Sequence, residues 1–310
     1  MPTNNMDSRP LEYFLRVAEL GSITKAALDL HLSQPALSRH ISALEHELGA
    51  HLFNRTHGGV QLTEAGELLA GRARPILRQL SILKEQIGEQ AAGQLSIGIP
   101  PSWHHAFTVD FVSRIIADAP AVKLRIYEGA SNVLREYMAA GLLDLAILPF
   151  NPEETPGYHP TRLVREPAML VRAKEAGLRA DESVPLSMLD GVKLVLPARP
   201  NGLRLQVEHA LARKGFTFKL AAEVDTLMLC LSMARTGVAP TVVPSCTLYD
   251  KTTTHDFSWS PLAGLQLTWT LYENGTRTHS TAVREGKRLA LELLSSHVDD
   301  GNWQGAEMLV

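Results

Sequence analysis

The sequence has little cysteine and no long apolar run, and each shortage excludes a class of protein. Two cysteines, Cys230 and Cys246, occur in 310 residues, and neither belongs to a CxxC pair. A disulfide framework or a cysteine-rich zinc site is therefore excluded, and we expect both thiols to be buried. No run approaches the roughly 18 apolar residues of a membrane span, and the N-terminus lacks the apolar core of a signal peptide. These absences predict a cytoplasmic protein.

Net charge is also small, which limits how the chain could bind nucleic acid. The formal net charge is −3, so bulk positive charge does not hold this protein on DNA or on a membrane, and any DNA binding must be local. Hydrophobic residues make up 45% of the chain and charged residues 20%, a balance typical of globular rather than disordered proteins. The length predicts two domains.

Helical periodicity in the first fifty residues predicts three short helices. Apolar residues recur at i, i+3, i+4 and i+7 from Leu11 to Ala18, and the pair 21–22 can end that helix and cap a second one over 23–30. Ser33 can cap a third helix, which Gly49 ends. Helices this short bury little alone, and packed together they form the helix-turn-helix unit of DNA readers.

The start of the third helix carries the side chains that would read DNA. Gln34, Ser38 and Arg39 point away from the predicted buried stripe. Glutamine pairs with adenine and arginine with guanine in the major groove, each bidentate pair discriminating by about 1–3 kcal/mol. No acidic residue lies between Asp29 and Glu45 to repel phosphates. A generic three-helix bundle with a polar surface remains the alternative for this segment alone.

The segment 51–63 predicts a short β-hairpin that follows the reader helix. Gly58 and Gly59 suit a tight turn, and Arg55 and His57 lie near its tip. A hairpin in this position is a wing, and a basic tip suits the flanking minor groove or phosphates. Residues 1–90 nevertheless contain nine Lys/Arg and ten Asp/Glu, so this segment is not basic overall. A few lysines and arginines at specific positions must therefore supply the phosphate contacts.

A long helix, which Thr63 can cap, is predicted to run to about Gln90. Its apolar residues are spaced 3, 4, 3, 4, which is typical of a coiled-coil seam that needs a partner helix. The alternative is that the seam packs on the chain's own domains. Pro75 lies inside the helix and should kink it. The seam consists of Ala73, Ile76, Leu80, Leu83 and Ile87.

After a small-residue hinge at 91–94, strands and helices alternate, which predicts an α/β fold with mostly parallel strands. The segment 297–310 shows little periodicity, and we expect a loose tail there. Strands are predicted at 95–99, 122–127, 143–148, 168–172, 193–196, 221–224, 238–243 and 265–272. Helices are predicted at 107–117, with Phe111, Ile115 and Ile116 facing inward, and at 133–140, 203–214, 227–234 and 280–294.

The predicted helices and hairpin of the N-terminal segment together resemble a domain of one known protein family. The run LEYFLRVAELGSITKAALDLHLSQPALSRHISALEHELGAHLFNRTHGGVQLTEAG, residues 11–66, resembles the winged helix-turn-helix of LysR-type transcriptional regulators. The alanine pair, the Ser-Gln-Pro turn, Ser-Arg, Leu-Phe-x-Arg and Leu-Thr-x-Ala-Gly stand in family order. The resemblance implies DNA contacts by Gln34, Pro35, Ser38, Arg39 and Arg55, and phosphate contacts by Ser22, Thr24 and Lys25. Ser33, Ala36 and His57 complete the predicted DNA-binding set.

The resemblance also implies how the rest of the chain is organised. The long helix would dimerise, and two readers would face the half-sites of an inverted repeat in double-stranded DNA. Residues 94–310 would form two α/β lobes resembling periplasmic binding proteins, with a small-molecule effector between them. Dimers would assemble into a homotetramer that helps or blocks RNA polymerase. The predicted domains are 1–66, the linker 67–93, lobe one at 94–164 plus 268–310, and lobe two at 165–267.

Effector-binding residues are predicted at the carboxyl ends of the strands, where open α/β sheets bind ligands near helix N-termini. Helix N-termini and arginines there predict a small organic anion. Ser131, Asn201 and Thr226 could instead only cap helices, Arg204 could be a solvated helix residue, and Trp103 could pack in a core. The candidates are Ser102, Trp103, His104, Ser131, Asn132, Phe150, Arg199, Asn201, Arg204 and Thr226.

The sequence contains none of the common catalytic motifs that we considered. The chain has twelve histidines but no HExxH, and no GxSxG, phosphate-binding GxxxxGK[ST] or GxGxxG motif. We therefore expect neither an enzyme nor a cofactor or metal. Two alternatives remain: a cytoplasmic solute-binding protein with an accessory DNA-binding module, and an architectural DNA binder. The reader segment 33–39 argues against the first, and the two-lobed half argues against the second.

Overall fold

The computed structural model describes residues 8–56, 58–87, 93–149, 155–249, 255–301 and 303–310. The chain divides into two compact units, residues 1–89 and 90–310. Within the described ranges, no helix is both long enough and apolar enough to cross a membrane.

The first unit contains four helices and a hairpin among its described residues, and their ends follow the predicted caps. Gly21 ends the first helix at φ +60°, and Gly49 ends the third at φ +67°. The Ser22 hydroxyl accepts from the Lys25 amide, and the Ser33 hydroxyl accepts from the Ala36 amide. The elements are α1 (Arg9–Leu20), α2 (Ile23–Asp29), α3 (Gln34–Leu48), β1 (Phe53–Thr56), β2 (Gly59–Leu62) and α4 (Glu64–Ile87).

The hairpin docks on the turn between α1 and α2. The Val60 amide donates to the Gly21 carbonyl over 2.9 Å. Gly59 has φ +139°, and a Cβ there would overlap that same carbonyl oxygen. Glycine is required at residue 59 because both the backbone angle and the close approach exclude a side chain. The wing is thereby fixed beside the three-helix core, in which Phe14 and Leu37 are fully buried.

The helix α4 begins as the sequence predicts. The Thr63 hydroxyl accepts from the Gly66 amide over 3.0 Å. Pro75 lies inside α4 without ending it. On the predicted seam Ala73 is buried, whereas Ile76 and Leu83 are 52% and 50% exposed in the single chain. The seam is thus not covered at these positions by the chain's own residues; the Ile87 side chain lies outside the described part.

The second unit is a mixed α/β structure, which confirms the predicted fold class. A short π-helical turn at 104–108 precedes its first α-helix. The elements are β3 (Gln94–Ile99), α5 (Val109–Asp118), β4 (Lys123–Glu128), α6 (Ser131–Ala139), β5 (Leu145–Pro149), β6 (Tyr158–Ala173), β7 (Val184–Pro185), β8 (Lys193–Pro197), α7 (Gly202–Ala212), β9 (Lys219–Val224), α8 (Leu227–Arg235), β10 (Thr241–Pro244), β11 (Phe257–Asn274), α9 (Thr281–Asp299) and β12 (Glu307–Met308).

One sheet runs through both lobes, in the order β4-β3-β5-β11-β6-β10-β8-β9. The outer strands are parallel in each lobe: β3 with β4 and β5, and β8 with β9 and β10. The long strands β6 and β11 are antiparallel partners and cross from one lobe to the other. Along β6 the buried side chains change from the first lobe's core at Val164 to the second lobe's core at Ala168.

Two expectations for this unit were wrong. Ile116 is 66% exposed, because α5 turns only one side, with Phe111 and Ile115, toward the core. The predicted loose tail is instead ordered structure: α9 continues to Asp299, Trp303 is 2% exposed, and β12 pairs with β6. Periodicity did not reveal the tail because a single anchoring tryptophan and a two-residue strand have no period.

Candidate DNA-binding surface and effector cavity

The start of α3 presents its polar side chains to solvent. Gln34, Pro35 and Arg39 are exposed, whereas Ser38 is half-buried. Leu37 is fully buried and Ile41 is 5% exposed, so the core stripe lies on the other side of the helix as predicted. Ser33 and Ala36 serve the helix itself, through their 3.4 Å cap hydrogen bond. The exposed start of α3 is therefore free to enter a groove.

The expected phosphate contacts surround this helix. Thr24 and Lys25 are exposed at the start of α2, and Ser22 is half-buried because it caps that helix. Arg55 is exposed on β1, whereas His57 lies outside the described residues. The acid at the end of α2 is neutralised, since Arg16 binds Asp29 through two hydrogen bonds of 2.6 Å.

A cavity of about 250 Å³ lies between the two lobes of the second unit. It sits at the carboxyl ends of the parallel strands, as the strand-end rule predicts. A proline lines it at the end of each of four strands: Pro100 after β3, Pro149 in β5, Pro197 in β8 and Pro244 in β10. Proline suits a strand end because it cannot donate to the sheet ladder.

Four of the predicted effector residues line this cavity: Ser102, Ser131, Asn201 and Thr226. Two of them also cap helices. The Asn201 side chain accepts from the Arg204 amide, and the Thr226 hydroxyl accepts from the Leu229 amide. The Ser131 hydroxyl instead accepts from the Gly202 amide over 3.4 Å, a contact between the lobes.

Three other candidates do not reach the cavity. Trp103 is fully buried in the core of lobe one, packed edge-on against Trp269 and Trp303. His104 lies near Glu128 with half of its side chain exposed, and Asn132 does not line the cavity. The segment after β3 continues as a 3-10 turn at Pro101–Trp103 and a π-helical stretch at His104–Thr108, and its Trp103 packs in the core of lobe one. Phe150 lies outside the described residues.

Both candidate arginines are engaged elsewhere. The Arg204 side chain is 4% exposed and is held by Glu208, by Glu223 and by the Pro197 carbonyl. Arg199 is exposed and pairs with Glu208 over 2.7 Å. The sequence shows that two arginines flank a strand end, but it does not show that Glu208, on the next turn of α7, binds both.

Comparisons with known proteins match both units. The family model described as "Bacterial regulatory helix-turn-helix protein, lysR family" matches residues 8–67. The model described as "LysR substrate binding domain" matches residues 88–293. The chain belongs to the LysR family. It is a DNA-binding transcriptional regulator with an effector-binding domain. The helix-turn-helix is the DNA-binding part, and the two lobes form the effector-binding domain.

Curated relatives of this LysR-type regulator are about 30% identical to it over the aligned residues. The "Nitrogen assimilation regulatory protein nac" of Escherichia coli is 30% identical over 243 residues, covering 77% of this chain and 78% of the relative. The "DNA-binding transcriptional dual regulator OxyR" of Escherichia coli is 32% identical, covering 77% and 79%. These relatives are transcription regulators, which are not enzymes.

Solved structures share the fold. CbnR in complex with its target DNA has a TM-score of 0.67 at 21% identity, covering 94% of this chain and all of the other. A full-length OxyR variant from Pseudomonas aeruginosa has a TM-score of 0.66 at 22% identity, covering 94% and 95%.

Sequence reasoning missed several cavity residues of this LysR-type regulator. Thr247 lines the cavity from the turn after β10, four residues beyond the predicted strand 238–243, and Trp269 lines it from inside the predicted strand 265–272. Met228 lines it from the first turn of α8. The available signal was the proline at each strand end, which recurs four times and marks the cavity wall.

Beneath the cavity lies a buried acid that the sequence did not single out. Glu166 on β6 is fully buried and accepts hydrogen bonds from Ser245, Trp269 and Trp303 and from the Cys246 amide. Burial raises the pKa of Glu166, and these four donors oppose that rise. The carboxylate therefore joins a cavity-lining tryptophan to the C-terminal segment.

Proposed function

We propose that the exposed start of α3 reads an operator and that the wing and α2 hold its phosphates. Gln34 and Arg39 would contact base edges in the major groove, and Pro35 and Ser38 would pack beside them. Arg55 would bind the flanking backbone. Thr24 and Lys25, with Ser22, would bind phosphates. The exposure of Gln34 and Arg39 beside a fully buried Leu37 is the observation that carries this assignment.

The half-exposed Ile76 and Leu83 support a dimer through α4, as the 3, 4 spacing predicts. A two-fold dimer places two readers on the half-sites of an inverted repeat. We propose that dimers pair into a tetramer, which acts on RNA polymerase in the cytoplasm, where bacterial DNA lies. No metal or bound cofactor is part of this proposal.

The cavity between the lobes would bind a small effector that carries an anionic group. Support comes from α6, whose N-cap Ala130 makes no side-chain capping bond, so its first amides are open to a ligand. Ser131, at the start of α6, lines the cavity and already contacts the other lobe. An effector acts by binding one arrangement of the readers more tightly than another.

The DNA assignment is tested by Arg39→Ala in the full-length protein. We expect a loss of about 10- to 100-fold on the operator, found by footprinting upstream of a neighbouring divergent gene, and a far smaller loss on random DNA. Arg55→Ala should weaken both DNAs equally, and Arg114→Ala, in a surface ion pair of α5, should change neither. An equal loss on both DNAs for Arg39→Ala would show that it contacts only phosphate.

The cavity assignment is tested by Ser131→Leu, which removes a polar lining atom and narrows the space. Footprints of the wild type should change when the responding metabolite is added. The variant should keep the footprint of the free protein and lose the change. A variant that keeps the full response places the effector elsewhere.

A further inference from the structure

Glu45, near the end of the reader helix α3, binds the backbone at the start of the wing. Its Oε1 atom accepts from the Leu52 amide over 2.7 Å and from the Phe53 amide over 3.3 Å. The Glu45 side chain is 17% exposed, and its other oxygen lies 3.7 Å from Nδ1 of the exposed His51. One carboxylate thus satisfies two consecutive amides, and hydrogen bonds to a charged acceptor are the strong ones.

Further contacts hold the wing from other helices. The Gly21 carbonyl, at the turn between α1 and α2, binds β2. Thr63, which caps α4, donates its hydroxyl to the His51 carbonyl over 2.6 Å and its amide to the Leu52 carbonyl over 3.0 Å. Glu45 supplies the contact that comes from α3 itself. It therefore ties the wing directly to the helix that carries the candidate base-reading side chains.

This contact lies between the two groups of candidate DNA-binding residues. Arg55 is exposed on β1, two residues after Phe53. Gln34 and Arg39 lie earlier on α3, about 16 Å and 9 Å from Glu45 along the helix axis. Phosphates and base edges have fixed relative positions in a duplex, so both groups can bind at once only if the wing and α3 keep one separation.

We infer that Glu45 is a positioning residue for DNA binding, which holds the start of the wing against α3 so that Arg55 meets the flanking backbone while α3 reads the operator. The inference rests on the proposed function, in which Arg55 binds the backbone and α3 the bases. Without the Glu45 carboxylate the first residues of β1 are free to shift. The phosphate contact is then lost although Arg55 is still present, and base reading by α3 remains.

The affinity for DNA and its salt dependence test the inference in the full-length protein. Glu45→Ala should weaken binding to the operator and to random DNA by the same factor, about 3- to 10-fold, because a phosphate contact is lost. The slope of log affinity against log salt should fall by about one for each protomer. Arg55→Ala should give the same losses. The double variant should lose no more than about twofold beyond either single variant, because both changes remove one contact.

Two matched variants separate the acceptor from general charge. Glu45→Gln keeps an acceptor oxygen at the same place and should stay within about twofold of the wild type. Glu47→Ala removes an exposed carboxylate from the same helix and should not lower the affinity.

Footprints at saturating protein compare positions within one bound complex, so they do not depend on the stability of the variant. For Glu45→Ala we expect guanine protection in the major groove to remain and protection of the flanking backbone from hydroxyl radicals to fade. The inference is overturned if both protections fade together, if the loss is confined to the operator, or if the losses of Glu45→Ala and Arg55→Ala add in full. If Arg55→Ala alone changes neither affinity nor slope, the proposed wing contact itself fails and the inference falls with it.

Discussion

Arg277 and Asp144 form a buried ion pair in lobe one. The Arg277 Nε atom lies 2.9 Å from Asp144 Oδ1, and both side chains are 1% exposed. Asp144 also accepts from the Ser96 amide over 2.7 Å, and Arg277 donates to the Gln94 carbonyl over 3.0 Å. The pair therefore joins β3, the start of β5 and the turn before α9, the frame that carries the α6 wall of the cavity.

Breaking this pair should destabilise the second unit. Arg277→Met leaves the Asp144 charge buried without its partner, and we expect a loss of about 3–5 kcal/mol in the free energy of unfolding. The matched control is Arg288→Met, since Arg288 pairs with Glu285 on the surface with about half of its side chain exposed. That change should cost at most about 1 kcal/mol. Equal losses in urea titrations would show that burial adds nothing to the pair.

The α4 seam should determine oligomeric state. Leu83→Asp places a charge on a residue that is 50% exposed in the single chain, so the fold should tolerate it while a helix-helix seam should not. We expect the variant to sediment as smaller species and to bind single half-sites. Arg74→Asp is the control, because nine residues at about 100° each place it on the opposite side of α4. Unchanged sedimentation of Leu83→Asp would remove the seam from the interface.

Trp303 should stabilise the protein through one polar atom. Its Nε1 atom donates to Glu166 over 2.7 Å, and Trp303→Phe keeps a ring but removes that donor. Loss of this donor leaves a buried carboxyl oxygen without one of its partners, which should cost about 1–3 kcal/mol. Trp259→Phe removes the 3.0 Å bond to the neutral Gln304 and should cost about 0.5–1.5 kcal/mol. A Trp303→Phe protein as stable as the wild type would mean that Glu166 does not need this donor.

The two thiols should not respond to peroxide. Cys230 and Cys246 are buried, and burial raises the pKa of Cys230 to about 11 and that of Cys246 well above its usual value. Thiolate, the reactive form, is then a fraction of about one in ten thousand at pH 7 for Cys230. We expect hydrogen peroxide to leave both residues unmodified and DNA binding unchanged, as mass spectrometry and footprinting would show. Unfolded protein should react, and oxidation of either native thiol would contradict the expectation.

The helix caps and the reader surface could be predicted because their causes are local. Ser22, Ser33, Gly21 and Gly49 act on residues within one turn, so the sequence shows both partners of each contact. The strand-end rule likewise located the cavity through Ser131, Asn201 and Thr226. The resemblance to the LysR family added the roles of these segments, which periodicity alone left open.

The predictions that failed concern residues whose contact partners lie far away in the sequence. Arg204 was expected in the cavity because nothing in the sequence shows that Glu223 lies across from it. Trp103 was a candidate ligand because its packing against Trp269 and Trp303 joins residues more than 160 positions apart. The order of the C-terminal tail has the same origin, since Trp303 is held by Glu166. Such contacts have no signature in composition or spacing.

Acid should destabilise the ion-pair cluster of Arg199, Arg204 and Glu208 beside the cavity. Burial acts to raise the pKa of Glu208, but hydrogen bonds from Arg199 and Arg204 outweigh it, so the pKa lies below the usual value of 4.5. A carboxyl with a lowered folded-state pKa stabilises the fold above its unfolded pKa, and this contribution is lost as pH falls through the folded value. As the pH is lowered from about 5 to about 3, we expect the urea concentration at the unfolding midpoint to fall more for the wild type than for Glu208→Gln. The variant is already less stable than the wild type at pH 7. Arg199→Met, which removes the exposed partner and keeps Arg204, should lie between the two. Parallel pH curves for wild type and Glu208→Gln would contradict the assignment of this acid sensitivity to Glu208.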